Sequence, residues 1–275
     1  MHARLISLFA ETSIHPGAEA GAGFVDLPVA REAATDCPVI PGSSLKGALA
    51  GLAREHSMQQ NDLERIFGRA DHAGGLLVSD ARLLLLPVRS LQSAYKWITC
   101  PYLLERLDRD LRRAGIRIPS PLTEITPPAP GRYLAQTQEE LFLEERLFTH
   151  QATCPDGLLQ TLQQLLPDPS ARKRLPQQLV VLEDGDFAWF ARYGLPIQAR
   201  NVLDPERKTS QNLWYEESIP PDALFYAILA ERTPGAAEPL WNLLQAHPYL
   251  QVGGNETVGM GWFQISVHNS QEPAS

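Results

Sequence analysis

The sequence predicts an α+β fold in which an antiparallel-rich sheet carries helices on one face. Two observations lead to this prediction. Apolar residues alternate along a first strand at 2–9, and amphipathic helical patterns recur at 43–56, 101–114 and 237–246. Strands and helices are mixed without the strict alternation that a parallel sheet requires, which favours α+β over α/β. The 275 residues, 44% of them hydrophobic, can bury a core as one large domain or two small ones.

The first 115 residues give the clearest local patterns. Residues 12–37 are rich in Gly, Ala and Pro and have no period, which predicts a long functional loop. Pro101 suits the first turn of a helix that Gly115 would end. The expected elements are a strand at 2–9, a helix at 43–56, a hairpin at 76–88, a strand at 96–100 and a helix at 101–114.

The second half of the chain is less regular. Prolines crowd residues 116–137 and indicate an excursion from the core, while the pattern of residues 132–153 fits either a protruding hairpin or a helix. The remaining expected elements are helices at 157–166, 187–193 and 237–246 and strands at 180–182, 213–218, 222–230 and 260–267.

Composition and charge exclude several classes of protein. A net charge of −8 argues against a uniformly basic nucleic-acid-binding surface but allows a local basic groove. The three cysteines are far apart and have neither zinc-finger spacing nor the look of a disulfide framework. The N-terminus lacks the apolar core of a signal peptide, and the longest apolar run, 223–230, is too short to cross a bilayer. We therefore expect a cytoplasmic protein without a membrane partner.

Residues 38–56 carry the strongest single motif. Pro41 and Gly42 interrupt an apolar run, after which Ser43 or Ser44 can cap a helix. The first turn of that helix would present free N–H groups, two hydroxyls and Lys46 to an anion, most simply a phosphate. The plainer interpretation is an ordinary N-cap beside a surface lysine.

The same residues also fit a hydrolase motif. Ser43 and Lys46 match S-x-x-K, the nucleophile motif of penicillin-binding enzymes. The companion motifs are missing, since Ser79 and Asp80 are followed by Ala81, and Lys208 is followed by Thr209 and Ser210. A serine–lysine hydrolase is therefore a remote alternative.

A glycine-rich loop lies near the C-terminus. Four glycines fall within residues 253–261, where they allow close backbone approach and an anion-binding nest. A hairpin turn with a bulge explains the same pattern. Together with the turn before the 43–56 helix, the loop favours a polyphosphate or nucleic-acid ligand.

The long loop contains two candidate catalytic side chains. Asp26 lies between apolar residues and can orient a hydroxyl, take a proton or hold a divalent ion. His15 is a candidate general acid or base. An Asx-type turn before Pro28 and a packed loop histidine are the simpler alternatives. Glu216 and Glu217 lie at a strand end, where they either support a site or face solvent.

Several segments resemble one protein family in order and spacing. The segments are His15-Pro16-Gly17-Ala18, residues 23–32, residues 38–47, residues 75–84 with 87–90, residues 97–101, residues 214–222 and residues 253–262. Together they resemble the RAMP-superfamily backbone subunit of type III-B CRISPR (Cmr) effector complexes.

This resemblance implies an architecture and an activity. It implies a single RAMP domain over 1–275, with an RRM-like, ferredoxin-type core formed by about 1–115 and 195–275 and an insertion at about 116–194. Copies would stack into a filament along a guide RNA together with other Cmr subunits. A projecting thumb hairpin from each copy would interrupt the guide–target duplex, and each copy would cleave the target RNA once. A non-catalytic RNA-binding scaffold is the alternative.

The resemblance also assigns roles to residues of this chain. Asp26 becomes the catalytic aspartate and the ligand of a weakly bound divalent ion, Mg²⁺ or Mn²⁺, with His15 beside it. Ser43, Ser44 and Lys46 become contacts to guide phosphates. The glycine-rich loop packs against the guide through Gly253, Gly254, Thr257, Gly259 and Gly261.

Overall fold

The computed structural model describes residues 2–17, 24–117, 122 and 125–269. Parts of the predicted 12–37 loop and of the proline-rich segment 116–137 therefore lie outside the described residues. The helices are α1 (Gly42–Glu55), α2 (Gln60–Phe67), α3 (Pro101–Arg113), α4 (Asp156–Leu165), α5 (Pro169–Gln178), α6 (Asp184–Tyr193) and α7 (Glu238–Ala246).

The strands include short edge pieces as well as long central ones. They are β1 (His2–Ala10), β2 (Val39–Ile40), β3 (Gly68–Arg69), β4 (His72–Ala73), β5 (Leu76–Val78), β6 (Ala81–Arg89), β7 (Tyr95–Thr99), β8 (Arg132–Leu134), β9 (Leu141–Leu143), β10 (Arg146–Ala152), β11 (Leu179–Leu182), β12 (Ile197–Leu203), β13 (Ser210–Glu217), β14 (Leu224–Glu231), β15 (Tyr249–Gln251) and β16 (Trp262–His268).

Twelve of these strands form one mixed sheet. Its main path runs β15-β16-β1-β14-β6-β7-β11-β8-β10-β9, while β2 pairs with β6 and β5 with β14. The pairs β16-β1, β1-β14 and β14-β6 are antiparallel, whereas β7-β11 and β8-β10 are parallel. The mixed α+β architecture is confirmed. Four strands between residues 116 and 194 extend the same sheet.

The expectation that helices cover only one face of the sheet is wrong. Along β1, Ile6 and Leu8 belong to one buried cluster, which also contains residues of α1, α6 and α7. Leu5 and Phe9 belong to a second cluster, which contains residues of α4 and α5 and most of the buried leucines of α3. Because alternate residues of a strand point to opposite faces, both faces of β1 are buried under helices.

The first turn of α1 is capped differently from the sequence prediction. Pro41 occupies the N-cap position and makes no side-chain cap, so neither Ser43 nor Ser44 is the capping residue. Instead, Asp80 accepts a hydrogen bond from the Gly42 N–H at 2.7 Å. This carboxylate lies between β5 and β6 and satisfies one of the N–H groups that a helix start leaves free. The N–H groups of Ser43 and Ser44 follow it in the same turn.

Residues 132–153 contain a hairpin, as one of the two sequence interpretations proposed. β9 and β10 pair antiparallel, but they join the main sheet through β8. Two hairpins, β3–β4 and β12–β13, stand outside the main sheet, and the sequence prediction located β12–β13 only in part. Ile197, Val202, Leu203, Leu213 and Tyr215 of this hairpin expose large apolar side chains.

Candidate functional site

The first long loop and the end of β13 are held together by their main chains. The Leu27 N–H bonds to the Tyr215 carbonyl at 3.1 Å, and the Glu217 N–H bonds to the Leu27 carbonyl at 3.0 Å. Leu27 and Glu216 thereby form an isolated parallel bridge. The loop thus lies along the base of the exposed hairpin.

Asp26 is exposed at this junction and fixed on one side. Its Oδ2 accepts the backbone N–H of Tyr215 at 2.8 Å. A carboxylate has about four lone-pair sites, so one hydrogen bond orients the group and leaves most of its acceptor capacity for a ligand.

His15 is buried beneath the same junction, with 7% of its surface exposed. Its Nδ1 lies 2.8 Å from the carbonyl oxygen of Glu217. Because a carbonyl only accepts, Nδ1 is the hydrogen-bond donor in this contact. The Glu216 carboxylate lies 3.8 Å from the same nitrogen. His15 is therefore held between the loop and β13.

Glu216 and Glu217 are both buried, which excludes the interpretation that they face solvent. Glu216 accepts a hydrogen bond from Asn255 Nδ2, and its Oε2 lies 3.3 Å from Arg200 Nε. Glu217 accepts the Val29 N–H at 3.0 Å and the Arg31 guanidinium at 2.7 Å. Buried carboxylates require such partners. The sequence identifies the pair as a candidate, but its position after Trp214 and Tyr215 is the one sequence feature that indicates burial.

The glycine-rich loop packs against the His15 segment. Gly253 has φ +98°, and a Cβ there would lie 2.7 Å from the His15 carbonyl oxygen, so only glycine fits. The Gly254 N–H donates to that oxygen at 3.0 Å, and the Gly261 N–H donates to the Ser13 carbonyl at 3.0 Å. Thr257 and Gly259 are exposed around a short 3-10 turn, Glu256–Val258. The structure therefore places His15 against this loop, and the end of β13 contacts both His15 and Asp26.

Ser43, Ser44 and Lys46 lie on α1, and among the described residues no hydrogen bond or ion pair joins them to this cluster. Both serines are exposed, and Lys46 is half-buried and lines an open cavity of about 490 Å³. Among the residues that the structure describes, no hydrogen bond joins Ser43 to Lys46. Since a serine nucleophile needs a base within hydrogen-bond reach, nothing in this geometry favours a hydrolase.

Two features are absent from the part of the chain that the structure describes. No group of three or more His, Cys, Asp or Glu side chains is arranged to hold a metal ion there. None of the helices described there has the length and apolar character needed to cross a membrane.

Comparison with known proteins gives consistent matches over nearly the whole chain. The model of the RAMP superfamily matches residues 10–264. The CRISPR system Cmr endoribonuclease Cmr4 of Pyrococcus furiosus is 33% identical over 285 residues, which cover 97% of this chain and 96% of the relative.

Solved structures give the same result. The crystal structure of oligomeric Cmr4 from Pyrococcus furiosus is 28% identical, covers 99% of this chain and 100% of that chain, and superposes with a TM-score of 0.76. A chain in the cryo-EM structure of the type III-B Cmr-beta bound to cognate target RNA is 20% identical and covers 97% of each chain. Its TM-score of 0.79 establishes likeness of fold.

Proposed function

The chain belongs to the RAMP superfamily, and from this premise we propose that it is the repeated backbone subunit of a type III-B CRISPR effector complex. In that role it binds guide RNA, neighbouring copies of itself and other Cmr subunits in the cytoplasm, and it cleaves complementary target RNA. The observation that carries this proposal is the 33% identity to a Cmr endoribonuclease over 97% of the chain.

The order of the central strands supports an RRM-like core. The antiparallel strands lie in the order β16-β1-β14-β6, with α1 between β1 and β6 in sequence and α7 between β14 and β16. This is the arrangement of a ferredoxin-type βαββαβ unit. The remaining strands and helices are then insertions and extensions of that core.

The β12–β13 hairpin is our candidate for the thumb. It pairs only with itself as a sheet, and it exposes five large apolar side chains. Apolar and aromatic surfaces of this kind suit insertion beside unstacked bases or contact with a neighbouring copy. Under this assignment the thumb comprises residues 197–217, which follow the 116–194 insertion in sequence.

Asp26 is the residue that we assign to the chemistry. RNA cleaves when a 2′-oxygen attacks the adjacent phosphorus in line with the bond to the next nucleotide's 5′-oxygen. That bond breaks, a 2′,3′-cyclic phosphate forms, and the departing oxygen takes a proton from water. The Asp26 carboxylate orients the 2′-hydroxyl and accepts its proton, while the Tyr215 N–H holds the carboxylate in place.

In this proposal His15 is a positioning residue for the loop that carries Asp26. Its Nδ1 hydrogen bond to the Glu217 carbonyl and the Gly254 bond to its own carbonyl tie the first loop to β13 and to the glycine-rich loop. A buried ring in this setting holds the loop that carries Asp26.

A divalent ion, Mg²⁺ or Mn²⁺, fits this site as a jointly held cofactor. Magnesium is often bound by one or two carboxylates completed by substrate phosphates and water, and Asp26 supplies one exposed carboxylate. Bound there, the ion would stabilise negative charge on the reacting phosphate.

The test is the isosteric variant Asp26→Asn in the assembled complex. We expect target cleavage to fall by roughly 10²–10⁴-fold, the range for loss of a general base, while guide binding and assembly remain. Asp156→Asn is the matched control, because Asp156 is exposed on α4 and the charge change is the same. Normal cleavage by Asp26→Asn, together with loss of assembly in Lys46→Ala, would instead support a non-catalytic scaffold.

A further inference from the structure

An open groove lies between the first turn of α1, the β3–β4 turn and the end of β14. Two adjoining cavities of about 490 and 580 Å³ form it, and they share Arg232 and residues 71–74. Lys46 lines the first cavity, and Thr233 and Pro234 line the second. Each cavity has the size of a small-molecule site.

Positive side chains dominate the walls of this groove. Lys46, Arg65, Arg69 and Arg232 line it, against the single carboxylate of Asp71. Arg69 pairs with Asp71 at 2.7 Å, and Arg65 pairs with Asp62 at 2.6 Å. Among the residues that the structure describes, neither Lys46 nor Arg232 has an ion pair or a side-chain hydrogen bond. In a chain of net charge −8, this is a local site for an anion.

The backbone that carries these cations is fixed. A Cβ at Gly74 would lie 2.4 Å from the Ile66 carbonyl oxygen, so the β3–β4 turn packs directly on the end of α2. The Arg232 N–H bonds to the Gly75 carbonyl at 2.9 Å. The adjacent Glu231 is buried and accepts hydrogen bonds from Gly235, Ala237 and Trp241 at 2.8–3.0 Å. The two unpaired cations therefore stand on a preorganised frame.

We propose that this groove binds a single-stranded segment of RNA. Phosphodiester groups lie at Lys46 and Arg232, and the apolar face of a nucleoside rests on Phe67 and Leu77, which line the same cavity. The inference rests on the proposed function and extends the RNA contact from the Ser43/Ser44 turn to β3–β4 and Arg232. Two cations beside an apolar wall suit a nucleotide better than an acidic peptide, which offers no base to stack.

The test measures binding of a fluorescein-labelled 12-nucleotide oligouridylate to the full chain by anisotropy, over a range of salt concentrations. Each cation that contacts a phosphate of single-stranded RNA contributes about 0.7 to the slope of log K against log salt. We expect Arg232→Ala to weaken binding by about 3–10-fold and to reduce the slope by about 0.7. Arg232→Lys should keep the slope, and Arg54→Ala, an exposed charge at the other end of α1, should leave both quantities unchanged.

The outcomes separate this inference from the proposed function. If the wild type binds the RNA but Arg232→Ala has an unchanged slope, the groove assignment is wrong and the proposed function stands. If Arg232→Ala instead disrupts self-association measured by light scattering with RNA binding intact, the groove is a protein contact and the inference is overturned. If the wild type fails to bind this RNA, the groove assignment is overturned, whereas the proposed function is decided separately by Asp26→Asn in the assembled complex. An unchanged thermal unfolding midpoint confirms that the exposed Arg232 variant is folded.

Discussion

The side chain and backbone of Glu217 connect much of the candidate site. The carboxylate accepts hydrogen bonds from Val29 and Arg31, while the backbone bonds to Leu27 and His15. Removing one partner of such a buried ion pair leaves the other charge unpaired, which costs several kcal/mol, about 3–5 in measured cases. The position of Asp26 therefore depends on side chains that do not contact the ligand themselves.

His268 gives the folded chain a predictable sensitivity to acid. Burial, with a smaller effect of Arg172, lowers the pKa of His268 to about 4, and its Nε2 lies 3.0 Å from the buried Ser7 hydroxyl. In the unfolded chain a histidine titrates near pH 6.5. Between about pH 6.5 and 4 the unfolded state binds a proton that the folded state does not. The free energy of unfolding therefore decreases as the pH is lowered through this window, by at most about 1.4 kcal/mol per pH unit.

The variant His268→Gln isolates this contribution. We expect its free energy of urea unfolding to lose that part of the pH dependence, while above pH 6.5 the difference between variant and wild type stays constant. Unfolding curves at pH 4.5, 5.5 and 7.5 measure the difference. A constant difference over all three values would show that His268 does not titrate in this window.

The burial and hydrogen bonding of residues whose partners are distant in sequence were the hardest features to predict. Asp26 and His15 could be named as candidates because they interrupt a glycine-rich loop, and the family resemblance suggested roles for them. The residue that caps α1 could not be predicted, because Asp80 reaches Gly42 from 38 positions away. Burial of Glu216 and Glu217 was likewise hidden, because it depends on Arg31, Arg200 and Asn255 from three other segments.

At the scale of elements, the glycine-rich loop offers a matched pair of substitutions. Gly253 and Gly259 both have positive φ, +98° and +82°, so alanine at either position incurs the left-handed penalty of roughly 1–2 kcal/mol. A Cβ at Gly253 would also meet the His15 carbonyl, whereas a Cβ at Gly259 meets nothing within 4 Å. We expect Gly253→Ala to destabilise the chain clearly more than Gly259→Ala in urea unfolding. Equal losses would mean that the loop moves away from His15 at no cost.

Most elements with a strong apolar period were predicted well, although the short amphipathic helix α2 was missed, as were more irregular elements. α1, α3, α7 and β14 lie within a few residues of their expected positions. α5 was missed because Pro176 lies inside it and its amphipathic pattern is weak. β12 was missed because it is an exposed hairpin strand, whose side chains need no buried face and therefore show no alternation.

At the scale of the whole molecule, the tip of the β12–β13 hairpin is separable from the folded core. Replacing residues 203–211 by Asn-Gly would join Val202 to Asn212, which already face each other, through a two-residue turn. We expect the free energy of unfolding to change by less than about 1 kcal/mol, because the removed residues are mostly exposed. Target cleavage in the assembled complex should fall, with guide binding retained. Unchanged cleavage would exclude the hairpin as the thumb.

The layered arrangement of the molecule was only partly predictable. The mixture of elements gave the α+β class, but the sheet was expected to carry helices on one face. The sequence of the first strand indicates that both faces are covered, because Leu5 and Phe9 are as apolar as Ile6 and Leu8. A strand that is apolar on both sides is buried on both sides. The parallel pair β7-β11 joins strands distant in sequence, which no local pattern reveals.

The hydrogen bond from the Tyr215 N–H to Asp26 has a consequence for where RNA would be cut. It fixes the carboxylate relative to the root of the hairpin within one copy of the chain. Under the proposed function, the scissile phosphate then lies at a constant number of nucleotides from the base that the hairpin displaces. The contact between copies sets only the period from one cut to the next, so an altered interface would change that period while each cut kept its phase relative to its own hairpin.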